Sequence, residues 1–205
     1  LARKAVVIPN GVDAATVRAQ ADETLPDANL GDSTVPTVLA PGRLVSQKNF
    51  ATLLEAVAIS RRSTDLRLLL MGTGPLRAEL IDQAERLGMS DALRIVDPVP
   101  NPFPVMKRSA VMVLPSWWEG SSNVLLEALA CGTPAVASRT AGNAEEILDA
   151  SRYGLLVDPA DPNAMAAAIH KQIGPDPILP KDRAEDYNRD ASLSAYAELI
   201  AGMAA

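Results

Sequence analysis

Apolar runs of strand length alternate with amphipathic helical segments through most of this 205-residue chain, and the alternation restricts the possible folds. The predicted strands cover residues 35–40, 66–71, 93–96, 110–114, 135–137 and 154–157. The run at 66–71 is almost entirely apolar, which is typical of a strand buried on both faces of a sheet. Strands that alternate with helices predict an α/β protein with a Rossmann-like, doubly wound parallel sheet.

The predicted helices cover residues 50–60, 75–87, 105–109, 123–130, 144–148 and 161–171. Leu53, Leu54 and Val57 share one face of the first of these, and Asp161 suits the N-cap of the last. Residues 14–34 predict a loop or a weak helix, and four prolines between positions 98 and 104 predict a loop. We therefore expect an interdomain segment over 1–34, the sheet domain over 35–173 and C-terminal helices over 174–205.

Composition argues against several classes of protein. The net charge of −6 disfavours a general nucleic-acid binder, which needs a basic surface. The one cysteine, Cys131, allows no internal disulfide, and the one histidine, His170, argues against a histidine-based zinc site. No apolar run reaches membrane-spanning length and no signal peptide is visible. The single cysteine favours a reducing compartment, so we expect a cytoplasmic location, or the cytoplasmic face of a membrane for the full-length protein. The first residue is Leu1 rather than methionine, which indicates a piece of a longer chain.

Residues 115–128 carry the most informative chemistry. Glu119 and Glu127 lie eight positions apart; an apolar strand precedes this segment, and a strongly helical run that contains Glu127 follows. Between them, Gly120, Ser121 and Ser122 suit a turn and a helix N-cap. Backbone N–H groups at such a helix start suit an anion such as a diphosphate, and carboxylates accept hydrogen bonds from sugar hydroxyls. The segment therefore predicts a pocket for a phosphorylated sugar.

Further candidates follow two other predicted strands, at the sheet edge where parallel sheets bind ligands. Gly42, Arg43 and Lys48 follow the first strand of the alternation, and the two cations suit a phosphate. Two solvated surface charges are the simpler interpretation. Gly72 and Gly74 follow the next strand, either as part of a ligand loop or as a tight turn into a helix.

Other residues leave alternatives open. Arg77 replaces the third glycine of a dinucleotide fingerprint, which disfavours a nicotinamide-dependent oxidoreductase. Trp117 and Trp118 either line a cleft or cover the edge of the core. Glu145 and Glu146 either contact a sugar hydroxyl or complement the dipole of a helix start.

Taken in order, these pieces resemble the C-terminal, donor-binding domain of retaining GT-B glycosyltransferases of family 4. The resemblance covers nearly the whole chain and is specific as an ordered set. Its pieces are residues 7–13, 42–44 with Lys48, 71–76, 101–104, 113–116, Glu119 with Glu127, 130–134 and 154–157. It implies the C-terminal half of a GT-B fold. It also implies retaining transfer of a sugar from a nucleotide sugar, with a UDP-sugar favoured, to a glycan, lipid-linked or small-molecule acceptor.

The resemblance implies roles residue by residue. Arg43 and Lys48 would neutralise the donor diphosphate, Glu119 would contact the transferred sugar, and Glu127 would hold the ribose hydroxyls. Its other expected donor contacts are Gly42, Gly72, Gly74, Ser121, Ser122, Asn123 and Val124. The N–H groups of Asn123 and Val124 would meet phosphate or sugar oxygens. Neither a metal nor a cofactor is expected.

The chain departs from the family pattern at two places. Asp97 and Pro98 stand where a glycine is usual near the base-binding loop, and Asn143 replaces the second glycine of a Gly-Gly pair. This aligns Glu146, rather than Glu145, with the family's acid. A complete enzyme also has an N-terminal acceptor domain, which we expect as the partner of this chain and as the route to any peripheral membrane association. Alone, the chain is expected to bind donor without turnover; a stand-alone nucleotide-sugar-binding module is the alternative.

Overall fold

The computed structural model describes residues 5–25, 27, 30 and 34–204. Its centre is a parallel sheet of six strands in the order β3-β2-β1-β4-β5-β6. The strands are β1 Thr37–Pro41, β2 Arg67–Met71, β3 Leu93–Val96, β4 Val111–Leu114, β5 Ala135–Ser138 and β6 Leu155–Val157. The predicted doubly wound α/β fold is confirmed.

Helices cover both faces of the sheet. They are α1 Ala14–Ala21, α2 Phe50–Ser60, α3 Arg77–Arg86, α4 Phe103–Arg108, α5 Asn123–Ala130, α6 Ala144–Ile147, α7 Pro162–Ile173 and α8 Arg189–Ala204, with 3₁₀ turns at Ser46–Lys48 and Arg183–Tyr187. Asp161 caps α7 as expected, because its Oδ1 accepts the N–H groups of Asn163 and Ala164 at 2.9 Å. Among the described helices, none combines the length and apolarity that crossing a bilayer requires.

Two apolar layers enclose the sheet, and strand alternation decides which layer each side chain joins. In β4, Met112 and Leu114 pack with α1, α4 and α5, whereas Val111 and Val113 pack with α2, α3 and α7. Every residue of β4 is buried. A central strand covered on both faces needs apolar side chains at consecutive positions, which is the pattern in the sequence.

The larger differences from the sequence prediction lie at α1 and α4. Asp13 caps α1 by accepting the N–H of Thr16 at 3.0 Å, and the buried face of that helix consists of alanines and Val17. Small side chains give a weak hydrophobic period, which explains the ambiguous prediction there. The proline-rich loop is shorter than expected, because α4 begins at Phe103 with Pro104 in its first turn. Parts of the predicted segment 1–34 and residue 205 lie outside the described residues.

The segment before the sheet is fastened to the start of α8. The N–H of Val12 donates to Tyr187 O at 2.7 Å, and the N–H of Arg189 donates to Val12 O at 3.2 Å. Val12 and Asn188 form an isolated parallel bridge. The two ends of the described chain therefore meet on one side of the domain.

Candidate functional site

The candidate site lies at the carboxyl ends of β1 and β4, which are neighbours in the sheet. From this pair the strand order runs in opposite directions, with β2 and β3 on one side and β5 and β6 on the other. Open α/β sheets bind ligands at such a switch point. The fold thus places the loop that carries Arg43 and Lys48 beside the loop that carries Glu119.

The loops after β1 and β2 are packed directly against each other. The N–H of Leu44 donates to Thr73 O at 2.8 Å. A Cβ on Gly72 would lie 1.8 Å from Gly42 O, and one on Gly74 would lie 2.4 Å from Leu44 O. Contact between backbones is therefore sufficient to explain both glycines. A direct contact of Gly72 or Gly74 with a donor stays a prediction.

Asn49 fastens the loop after β1 to the loop after β4. It is buried, with a left-handed φ of 53°. Its Nδ2 donates to Pro115 O at 3.1 Å and to Pro159 O at 2.8 Å, while its Oδ1 accepts the hydroxyl of Thr52 at 2.8 Å. The Asn49 side chain thus joins its own loop after β1 to the loop after β4 and to the loop after β6.

Replacing Asn49 by alanine is expected to lower the free energy of unfolding by about 2 kcal/mol, because buried carbonyl oxygens lose their donor. Urea denaturation measures the effect. Asn49→Asp is the matched variant, since it keeps the shape but turns carboxylate oxygens toward two carbonyl oxygens. It should be at least as unstable, and wild-type stability in both variants would contradict this role.

The two tryptophans stand on the loop after β4 with partly exposed rings. Trp117 is 38% exposed and Trp118 is 58% exposed. Gln47 holds their backbone, because its carbonyl accepts the N–H of Trp117 at 2.9 Å and its Nε2 donates to Trp118 O at 2.8 Å. Trp117 also borders a cleft of about 410 Å³ with Phe50 and Leu76. This placement favours the cleft interpretation over that of a cover for the core.

Lys48 and Glu119 form an ion pair inside the site. Lys48 Nζ lies 2.5 Å from Glu119 Oε1, and the side chains are only 15% and 12% exposed. The stem of Lys48 runs against Gly42, where a Cβ would lie 3.2 Å from Lys48 Cε. An ammonium group has three N–H donors, so Lys48 keeps two for an anion while it holds Glu119.

Ser116 completes this group and was missed by the sequence analysis. Its hydroxyl donates to the same oxygen, Glu119 Oε1, at 2.6 Å. The signal in the sequence is proximity alone, because Ser116 lies three residues before Glu119 in the loop after a predicted strand.

Arg43 has a different setting from Lys48. Its side chain is exposed, and it has no hydrogen bond or ion pair with any residue that the structure describes. The structure does not bring it into contact with Lys48 or Glu119. A free guanidinium at this sheet edge is available for a phosphate, to which it can donate two parallel hydrogen bonds.

The start of α5 offers unpaired backbone donors. Ser122 is the N-cap residue, but its hydroxyl donates to Ala141 O at 2.8 Å instead of capping the helix. Its N–H donates to Asn143 Oδ1 at 3.1 Å. The N–H groups of Asn123 and Val124 have no acceptor within the described part of the chain. Asn143 therefore uses one donor of the helix start and leaves two for an anion.

The side chain of Asn123 is oriented by two neighbours. Its Oδ1 accepts Asn10 Nδ2 at 3.0 Å and the hydroxyl of Ser121 at 3.3 Å. Its own Nδ2 has no acceptor among residues 5–25, 27, 30 and 34–204, and is left for a ligand. Asn10 also joins the segment before the sheet to the site across 113 positions of sequence.

Glu127 is a partly buried acid without a protein partner. No described residue donates a hydrogen bond to its carboxylate or forms an ion pair with it. Burial raises the pKa of Glu127 above its ordinary value of 4.5. A carboxylate removed from water is costly unless donors replace the lost water, so the arrangement favours a ligand with hydroxyl groups.

Glu145 and Glu146 remain two candidates for one contact. Glu146 Oε1 accepts the hydroxyl of Tyr187 at 3.2 Å, and Glu145 pairs with Arg139 at 3.2 Å. Both acids border, together with Gly120, an open depression of about 910 Å³. The alignment with Glu146 stays a prediction.

The chain is similar in sequence to known proteins. A family model described as glycosyl transferases group 1 matches residues 35–174. This chain belongs to that family. The lipopolysaccharide core biosynthesis glycosyltransferase LpsE of Rhizobium meliloti is 36% identical over 174 residues, covering 81% of this chain and 50% of LpsE. A Campylobacter jejuni enzyme, N-acetylgalactosamine-N,N'-diacetylbacillosaminyl-diphospho-undecaprenol 4-alpha-N-acetylgalactosaminyltransferase, is 30% identical over 176 residues, covering 86% of this chain and 46% of that protein.

Solved structures share the fold of this group 1 glycosyltransferase chain. Sucrose-phosphate synthase from Thermosynechococcus elongatus has a TM-score of 0.78 at 28% identity, covering 96% of this chain and 52% of that one. Anabaena Alr3699/HepE in complex with UDP-glucose has a TM-score of 0.81 at 21% identity, covering 96% of this chain and 57% of that one. The chain spans about half the length of the curated relatives named above.

Two further residues of the glycosyltransferase chain, Arg77 and Cys131, are explained by their surroundings. Arg77 donates to Ile95 O at 3.0 Å and lies 3.5 Å from Asp97 Oδ1, so the missing third glycine is replaced by a link to the end of β3. Burial, with the charge of Glu127, raises the pKa of Cys131 to about 12. That thiol is neutral and unsuited to act as a nucleophile. Within the described ranges, no group of three or more His, Cys, Asp and Glu side chains is placed to hold a metal ion.

Proposed function

We propose that this chain is the nucleotide-sugar-binding part of a retaining glycosyltransferase, with a UDP-sugar as the favoured donor. The observation that carries the proposal is Glu127, a partly buried acid without a hydrogen-bond donor among the described residues, on the helix that also presents free N–H groups at its start. A ribose diol beside a diphosphate supplies the matching donors and acceptors. The complex of HepE with UDP-glucose, which has the same fold, supports a UDP-sugar.

In this proposal the donor spans the switch point from Glu127 to Glu119. The ribose hydroxyls donate to Glu127. The diphosphate accepts the N–H groups of Asn123 and Val124, in the manner of anions at other helix N-termini. Arg43 adds a cation from the loop after β1, and the transferred sugar lies against Glu119.

In this proposal, cleavage of the bond between the sugar and the diphosphate builds up negative charge next to Arg43 and Lys48. As the bond between the anomeric carbon and the diphosphate oxygen breaks, negative charge grows on the leaving nucleotide. Arg43 and Lys48 stabilise that charge more strongly than they stabilise the intact donor, and this difference lowers the barrier. Retention of configuration is part of the proposal by family resemblance.

The acceptor is proposed to be a glycan, a lipid-linked saccharide or a small molecule. The names of the Rhizobium meliloti and Campylobacter jejuni relatives, which concern lipopolysaccharide core and an undecaprenol-linked saccharide, support the first two. The match covers only about half of each relative, which supports a second domain that carries the acceptor. We expect the chain alone to bind donor but not to transfer sugar. Transfer by the isolated chain to any acceptor would contradict that expectation.

A calorimetric panel tests the donor assignment. UDP, GDP, uridine, UDP-glucose, UDP-galactose and UDP-N-acetylglucosamine are titrated into the chain at pH 7.5. UDP is expected to bind about 10-fold or more tightly than uridine, because only UDP reaches the cations and the start of α5. If GDP binds more tightly than UDP, the donor is assigned a guanine base instead of uracil. If no nucleotide binds, the proposal is overturned.

A further inference from the structure

Ser116 is a fully buried polar residue next to the proposed sugar position. Its exposed fraction is 0%, so it cannot touch a ligand itself. Its hydroxyl donates to Glu119 Oε1 at 2.6 Å, and Lys48 Nζ lies 2.5 Å from the same oxygen. Two donors from two different loops therefore converge on one atom of one carboxylate.

This convergence distinguishes the two oxygens of Glu119. Oε1 is occupied by a charge-assisted hydrogen bond and by a hydroxyl, and both are short and strong interactions. Oε2 has no donor among the residues that the structure describes. A carboxylate held at one oxygen before the ligand arrives loses little rotamer freedom on binding, so its free oxygen is already placed for a hydroxyl.

We infer that Ser116 is a positioning residue for sugar recognition. It fixes Glu119 so that Oε2 accepts a hydroxyl of the transferred sugar, while Lys48 shares its remaining N–H donors with the diphosphate. The inference rests on the proposed function. It adds that binding of the donor's sugar depends on the buried Ser116 hydroxyl, which does not contact the sugar. Binding of the nucleotide does not depend on that hydroxyl.

The test compares UDP with a UDP-sugar, which adds the sugar and removes one ionisable oxygen from the terminal phosphate. Dissociation constants for UDP and for the tightest UDP-sugar of the panel are measured by calorimetry in the wild-type chain and in Ser116→Ala. The ratio of the UDP-sugar constant to the UDP constant is expected to rise about fivefold to tenfold in Ser116→Ala, with the UDP constant itself within about twofold of wild type. Ser116→Thr keeps the hydroxyl and is expected to restore the wild-type ratio.

Two controls separate positioning from general damage. Ser109→Ala deletes another buried serine hydroxyl, which donates to Val105 O at 2.8 Å in α4, and should leave the ratio unchanged. In a Glu119→Ala background, adding Ser116→Ala should have no further effect on the ratio, because the carboxylate through which it acts is gone. If Ser116→Ala does not fold, Ser116→Cys replaces it, because cysteine keeps the shape of serine but is a weak donor. The ratio is then expected to rise in Ser116→Cys as it would in Ser116→Ala.

The outcomes are distinct. An unchanged ratio in Ser116→Ala, an equal loss for UDP and UDP-sugar, or a full effect in the absence of Glu119 each overturns the positioning role while leaving the proposed function intact. Absence of nucleotide binding in the wild-type chain overturns the proposed function and this inference with it.

Discussion

Lys48→Ala is expected to lower the affinity for UDP by about 10- to 100-fold and the free energy of unfolding by about 2–3 kcal/mol. The first effect follows from the loss of a cation at the diphosphate. The second arises because Glu119, whose side chain is only 12% exposed, is left without its ammonium partner. Calorimetry with UDP and urea denaturation measure the two effects.

Arg43→Ala is the matched control for Lys48→Ala. The side chain of Arg43 is exposed and has no hydrogen bond or ion pair with the described residues, so its removal should weaken UDP binding by about 10-fold while changing stability by less than about 0.5 kcal/mol. The double variant Lys48→Ala/Glu119→Ala should recover part of the lost stability, since the unpaired carboxylate is gone. Wild-type UDP affinity in both single variants would contradict the proposed binding of the diphosphate by Arg43 and Lys48.

Glu127→Ala is expected to weaken UDP binding by about 10- to 100-fold, because hydrogen bonds to a charged group contribute about 1.5–3 kcal/mol each. Unlike the loss in Lys48→Ala, this loss should persist with uridine, which retains the ribose but lacks phosphates. We expect the wild-type chain to discriminate UDP from 2′-deoxy-UDP and the variant to lose that discrimination. Equal discrimination in both proteins would contradict the ribose role.

The raised pKa of Glu127 also makes the free energy of unfolding depend on pH, in a direction that can be stated. Burial raises the pKa of Glu127 in the folded state, so the protonated carboxyl is the form that the fold favours. Its contribution to stability is present below the unfolded pKa and is lost as pH rises through the folded pKa. Glu127→Gln stays neutral, so it should match wild-type stability at about pH 4 and exceed it at about pH 8. Thermal unfolding across that range measures the difference, and a constant difference would contradict the assignment.

That variant should also separate stability from function. Glu127→Gln is expected to be more stable than wild type at neutral pH and yet weaker in UDP binding, because an amide replaces a charged acceptor. A residue that costs stability in the free protein and contributes to ligand binding is typical of a functional site. A gain in both properties would indicate that Glu127 lies outside the donor site.

The sheet and most helix bounds follow from patterns that are local in sequence. In β4, consecutive apolar residues are enough to indicate burial on both faces, and at α7 Asp161 with Pro162 marks the start of a helix. The order of strands in the sheet is non-local, and it was predicted only as a class. The switch point between β1 and β4 was therefore not predicted, although the class did predict that Arg43, Lys48 and Glu119 follow the carboxyl ends of strands.

By itself, the sequence determined the α/β class and the loops that carry the candidate groups, because periodicity and turn residues act over a few positions. Only the tertiary structure decided which groups are paired. Lys48 and Glu119 are 71 positions apart, Asn10 and Asn123 are 113 apart, and Ser122 and Asn143 are 21 apart. Such contacts depend on how neighbouring loops meet at a sheet edge, and that geometry leaves no period in the sequence. The same packing leaves the side chains of Arg43 and Glu127 without partners among the described residues, and these two groups are the structure's main contribution to the proposed donor site.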